Sequence, residues 1–154
     1  MAFLFDLTKP HLAYYSVPAA FMLVLAPHSY AMVASGKNYD IAQPRTAAEN
    51  CKNDTTFDKR AALRIQRAEA ATANGFETLG MYSAGIVAAA VTGVPATTLN
   101  YLSLAYLASR VGFNTIYVWL QDNKKLAPLR SVCWNISAGI IVAIWVKAGN
   151  RAGS

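Results

Sequence analysis

Charge is scarce in this chain. Of its 154 residues only 14% are Asp, Glu, Lys or Arg, while 55% are hydrophobic. A water-soluble domain usually carries about a quarter charged residues. The surplus of apolar surface needs somewhere to go, and lipid is the simplest answer. Cysteine is nearly absent too. Cys51 and Cys133 stand at no metal-ligand or redox spacing, which argues against a zinc module and a dithiol motif. A disulfide between them is not expected. The opening MAFLFDLTKPH has Asp6 in place of a basic segment, and no small-residue cleavage site follows the apolar run. Residues 12–35 are therefore expected to be retained as a first span. There is no internal repeat and no low-complexity run. The length suits one domain, residues 1–154.

The net charge of +6 raises the possibility of nucleic acid. Its distribution speaks against that partner. The basic residues sit in connections between apolar segments, and no basic and aromatic stripe marks one face.

Four apolar segments predict an all-α membrane protein built as a four-transmembrane-helix bundle. The spans fall at about 12–35, 61–91, 96–120 and 127–147, each meeting the ~20 residues that a crossing helix needs. Pro18 and Pro27 would break a soluble helix, but neighbouring helices can support such positions in a bundle. Pro128 suits a helix start. The connections are a polar loop at 36–58, an uncharged TGVP turn at 92–95 and a basic QDNKK turn at 121–125. The first carries Lys37, Arg45, Lys52, Lys59 and Arg60, and the third carries Lys124 and Lys125. The positive-inside rule places both in the cytosol. The acceptor pattern NDT at 53–55 then faces the cytosol and stays unmodified. Tyr14, Tyr15, Trp119 and Trp134 lie near span ends, where an aromatic belt is expected.

Polar residues inside the spans carry the functional signal. In 67-RAEAATANGFETL-79, Asn74 and Glu77 are three apart and Arg67 lies two turns back, so they share a stripe that Arg64 extends. Glu69 leaves the stripe and is expected to face solvent. On the third span Arg110, Asn114 and Tyr117 form a second stripe, with Ser103 and Tyr106 behind them. Arg130 and Ser131 open the fourth. Ionisable residues within a membrane are either functional or paired with one another. The structural alternative is a buried Arg110–Glu77 ion pair that fixes register, with end lysines snorkelling to headgroups. The functional reading is a site for a small polar ligand with carboxylates, Glu77 taking its ammonium group or holding an arginine in place. Four thin helices enclose little room, so an oligomeric interface is attractive.

These residues resemble the MAPEG family, the membrane-associated proteins in eicosanoid and glutathione metabolism, and in particular its microsomal glutathione transferase-like members. Arg67, Ala68, Asn74 and Glu77 stand in the second-helix signature. Arg110 and Tyr117 in SRVGFNTIY fit the third-helix pair, and LAPLRS at 126–131 fits the start of the fourth. The resemblance covers roughly residues 12–147. It implies a homotrimer in the endoplasmic reticulum membrane, with glutathione bound between protomers near the cytosolic face. By position, Arg67, Asn74, Glu77, Arg110 and Tyr117 would bind glutathione as cosubstrate. Arg130 and Ser131 would sit at its sulfur, with Lys125 as the alternative cation. The implied reaction is thiolate attack on lipophilic electrophiles, or reduction of lipid hydroperoxides, with membrane lipids as surroundings. Three positions depart from the family pattern. Thr72 stands where histidine is common, Ala73 where one catalytic branch has arginine, and Phe113 where histidine or tyrosine often contacts glutathione. They motivate a second expectation, a non-catalytic membrane scaffold or lipid-mediator binding protein. A transporter is a third and weaker one, because the polar residues gather toward one side.

Overall fold

The computed structural model describes residues 6–153. Five α-helices follow one another: α1 (Leu12–Ser35), α2 (Ala47–Asn53), α3 (Lys59–Val91), α4 (Ala96–Thr115) and α5 (Ala127–Ala152). Among the described residues there is no strand. The four long helices run alternately up and down. One end of the bundle gathers α2, the start of α3, and the turn between α4 and α5. The other end holds the TGVP turn.

Helix α3 has 33 residues. At 1.5 Å per residue it is roughly 50 Å long, well beyond the ~30 Å of a hydrocarbon layer. Its first turns therefore reach beyond the hydrocarbon layer of any bilayer that its apolar half crosses, through the headgroup region. Asp58 caps its start by accepting from the Ala61 N–H at 2.9 Å. The 36–58 connection is not wholly irregular. AAENCKN folds as α2 and buries Ala47 and Cys51, and Cys51 joins Ala62 and Ile65 of α3 in one apolar cluster. Seven residues with so short an apolar face give no readable period, and packing on α3 is what stabilises them.

The two prolines leave α1 helical throughout, and one of them is compensated across the bundle. Pro27 has no N–H to offer the carbonyl of Leu23 four residues earlier. The Asn114 side-chain amide of α4 donates to that carbonyl at 2.8 Å. Close approach of α1 and α3 depends on Gly75, where an added Cβ would meet Val24 Cγ2 at 2.7 Å. Deeper in the bundle Tyr82 and Tyr106 stack with ring centroids 3.7 Å apart, both fully buried. The Tyr82 hydroxyl meets Ser16 on α1, and Ser109 meets Ser137 at 2.8 Å between α4 and α5.

The outer surface is apolar on every long helix. Tyr15, Met22, Val33, Met81, Val91, Tyr101 and Val142 are all more than half exposed. A soluble monomer rarely exposes so much contiguous apolar area. Two stretches, Leu12–Asn38 and Lys124–Ala152, are long and apolar enough to cross a membrane, with mean hydropathy 1.5 and 1.6. Polar groups inside α3 and α4 lower their hydropathy: Asn74 and Glu77 in one, Asn100, Arg110 and Asn114 in the other.

Candidate functional site

A groove of ≈ 510 Å³ opens between α3, the end of α4 and α5. Helix α3 supplies Ala70, Ala73, Asn74 and Glu77 at the three- and four-residue spacing of one helical face. Helix α5 supplies Arg130, Ser131, Trp134 and Asn135. Phe113 forms the buried floor, 3% exposed. Tyr117 enters from a single π-helical turn, Ile116–Leu120, that follows α4. Such turns are rare and concentrate at functional sites.

The polar groups form a relay. Arg110 is 2% exposed, and its guanidinium donates to Asn74 Oδ1 at 3.2 Å. Asn74 in turn donates to Glu77 Oε2 at 3.4 Å. The direct Arg110–Glu77 ion pair expected as the structural alternative does not form, because Asn74 stands between the two. The Arg110 guanidinium also lies over the Phe113 ring, 4.6 Å from its centroid. Arg130 lies over the Tyr117 ring at 4.6 Å, and the described residues give it no carboxylate partner. The groove thus presents a carboxylate on α3 opposite a guanidinium on α5, with amides and a hydroxyl around them.

Of the sequence-predicted site residues, Asn74, Glu77, Tyr117, Arg130 and Ser131 come together on this groove, and Arg110 backs it through Asn74. Arg67 and Lys125 do not line it. The Arg67 Nη2 donates to Asp122 Oδ1 at 2.7 Å, and Arg64 approaches the same carboxylate at 3.5 Å while lying over the Trp119 ring. The hydrogen bond from Arg67, helped by the nearby charges of Arg67, Arg64 and Arg60, holds the Asp122 carboxyl below its ordinary range. Lys125 sits in an exposed 3-10 turn, Lys124–Leu126. Asn114 leaves the stripe of Arg110 and Tyr117 and turns to α1. Glu69 is not simply solvated: its carboxylate meets His28 Nδ1 at 3.0 Å, and both are partly buried.

Sequence reasoning passed over Trp134, Asn135 and Asp122. Trp134 lies four residues after Arg130, so helical spacing already put it on the same face, although an interfacial belt explained it equally well. Asp122 is the lone acid in a turn read only for its lysines. Two of the departures from the family pattern face the groove: Ala73 lines a wall and Phe113 the floor. Thr72 does not line it, and its buried hydroxyl has no hydrogen-bond partner.

An all-helical bundle with apolar outer faces and a polar groove between its helices is the form of a small membrane protein. The MAPEG family model matches residues 13–150, nearly the whole chain. The chain belongs to the MAPEG family and is thus a membrane protein of a family in eicosanoid and glutathione metabolism. Comparison with curated proteins and with solved structures returned no match.

Proposed function

We propose that the protein is a glutathione-dependent transferase or peroxidase of four membrane spans, working as a homotrimer on lipophilic electrophiles or lipid hydroperoxides. The observation that carries this reading is the convergence of Glu77, Asn74, Tyr117, Arg130 and Ser131 on one groove. The groove's volume lies in the ~300–1,000 Å³ range of small-molecule sites. Its one carboxylate, one guanidinium and neighbouring amides suit a peptide thiol that carries an ammonium group. Glu77 is the acceptor for the ammonium group. Asn74 and Asn135 hold peptide amides, and Arg110 keeps Asn74 oriented from behind. Glutathione supplies the thiol nucleophile. Arg130 places a fixed positive charge near the sulfur, which favours ionisation of a thiol whose ordinary pKa is ~8.5. Stacking on Tyr117 restrains that guanidinium, and Ser131 beside it can donate to sulfur. Proximity to substrates dissolved in the bilayer does the rest. The exposed apolar helix faces support both lipid contact and packing of further copies, and the family relation favours the endoplasmic reticulum.

Calorimetry with the purified protein in detergent tests the binding half of this reading. Glutathione should bind at millimolar concentration or below. Glu77→Ala should weaken binding about tenfold or more, the cost of leaving a charged hydrogen bond unmade. No heat at millimolar glutathione sinks the reading. A second reading is favoured by the apolar surface that Ala73 and Phe113 present to the groove: a scaffold or lipid-mediator binding protein without the chemistry. It requires that no electrophile or hydroperoxide in a broad panel is turned over with glutathione. A conjugation rate that Arg130→Ala abolishes excludes it.

A further inference from the structure

A second cavity, of ≈ 460 Å³, lies between α2 and the first turns of α3, away from the groove. Its walls are apolar. Cys51 and Ala62 are buried at 1% and 6% exposure, Phe57 is partly buried, and Leu63 is 54% exposed. Its rim is basic. Lys52 and Lys59 are both exposed, and among the described residues neither has an ion-pair partner. The one acid on the lining is already engaged. Asp54 pairs with Lys37 at 3.2 Å, accepts from Asn38 at 3.1 Å, and accepts from the Thr56 N–H at 2.8 Å. The cavity therefore offers positive charge at its mouth over hydrocarbon.

Its height along the bundle is set by the same contacts. Lys37 comes two residues after α1 ends, so its pair with Asp54 holds the cavity level with the end of α1. Leu63 lies one turn beyond Lys59, toward the apolar half of α3. Along α3 the lining runs from the exposed Lys59 to Ala62 and Leu63 one turn on, with Gln66 beyond them. A cation followed by apolar side chains matches the junction of headgroup and acyl chain in a phospholipid. We infer that this cavity holds one anionic membrane lipid at the level of the headgroups, its phosphate between Lys52 and Lys59 and the start of an acyl chain against Ala62 and Leu63. A zwitterionic headgroup would bring its own cation beside the lysines. A free phosphate would leave the apolar wall in water. Basic clusters just outside a span draw anionic lipids for the same reason.

The test uses the full chain purified in non-ionic detergent, with bound lipid counted by native mass spectrometry against mixed phosphatidylglycerol and phosphatidylcholine. Phosphatidylglycerol should be retained in preference, at one per chain. The double variant Lys52→Gln/Lys59→Gln should lose that retention about 10-fold or more, since each lysine near an anionic surface contributes about fivefold. Leu63→Asn should weaken retention of both lipids. The exposed pair Arg45→Gln/Lys124→Gln should change nothing. The inference is overturned by equal retention of the two lipids. It is overturned as well by an effect of the Arg45/Lys124 pair equal to that of the Lys52/Lys59 pair, which would mean diffuse attraction only. Displacement of phosphatidylglycerol by millimolar inorganic phosphate would show a simple anion site, and disulfide capture of Leu63→Cys by a second chain would show that another copy covers the cavity. Either result rejects it.

Discussion

Replacing Asn114 by leucine removes the donor that serves the Leu23 carbonyl. The structure sets the size of the effect. Pro27 leaves that carbonyl without its intrahelical partner, and the Asn114 amide supplies one at 2.8 Å. A buried carbonyl left unpaired costs about 1–3 kcal/mol. Hydrogen bonds between membrane helices have been measured lower, at about 0.6–2 kcal/mol. The Oδ1 of Asn114 is itself buried without a partner, so its removal offsets part of the loss. A net destabilisation of about 1 kcal/mol is expected. The decisive comparison is a double-mutant cycle with Pro27→Ala. Alanine restores an N–H at position 27 that can reach Leu23 in the ordinary helical way. In that background Asn114→Leu should cost little or nothing, giving a coupling of about 1 kcal/mol between residues on different helices. Reversible unfolding of the four proteins in detergent by titration with dodecyl sulfate measures it. Additivity within ~0.3 kcal/mol would refute the compensation.

Other expectations follow from single contacts. Gly75→Ala drives a methyl into Val24, 2.7 Å from Cγ2, and should destabilise by about 1–3 kcal/mol, with Val24→Ala restoring much of the loss in the same unfolding assay. The Asp122 carboxyl is held below its ordinary range in the fold, chiefly by the Arg67 hydrogen bond. Its contribution is therefore present above the unfolded value near 3.8 and is lost as pH falls through the folded one. Unfolding midpoints of Asp122→Asn and the parent should converge in acid below about pH 4 and separate above it. A constant gap across that range counts against the pairing. In the groove, Arg110→Met should weaken glutathione binding by freeing Asn74 to turn, even though Arg110 itself does not line the cavity, and calorimetry would show it.

Much of the helical layout could be read from the sequence because it rests on long apolar runs and on turn residues between them. Helix α2 could not, since seven residues inside a polar stretch take their shape from packing on α3. The stripes showed which polar residues share a helix face, and Asn74 with Glu77 illustrates how well spacing alone serves at that scale. Spacing does not reveal which neighbour a face meets. Arg110 and Asn114 are one turn apart, yet one bonds α3 and the other repairs a proline gap in α1. Arg67, expected by resemblance in the binding site, spends its hydrogen bond on Asp122, the lone acid of the turn at 121–125. The π-helical turn that aims Tyr117 and Trp119 to different sides likewise leaves no mark on hydropathy.

On the proposed function, the groove binds glutathione and favours its ionised form through Arg130. Ultraviolet difference absorbance of the thiolate, recorded at pH 7 on the protein in detergent with saturating glutathione, tests it most directly. A free thiol of pKa ~8.5 is only about 3% ionised there, and lowering it by one unit raises the fraction to about a quarter. The parent and Lys125→Ala should show more thiolate than the free glutathione in the same sample accounts for. In Arg130→Ala that excess should be lost while calorimetric binding persists. A parent that binds glutathione with no more thiolate than free solution, or an Arg130→Ala variant with undiminished signal, contradicts it.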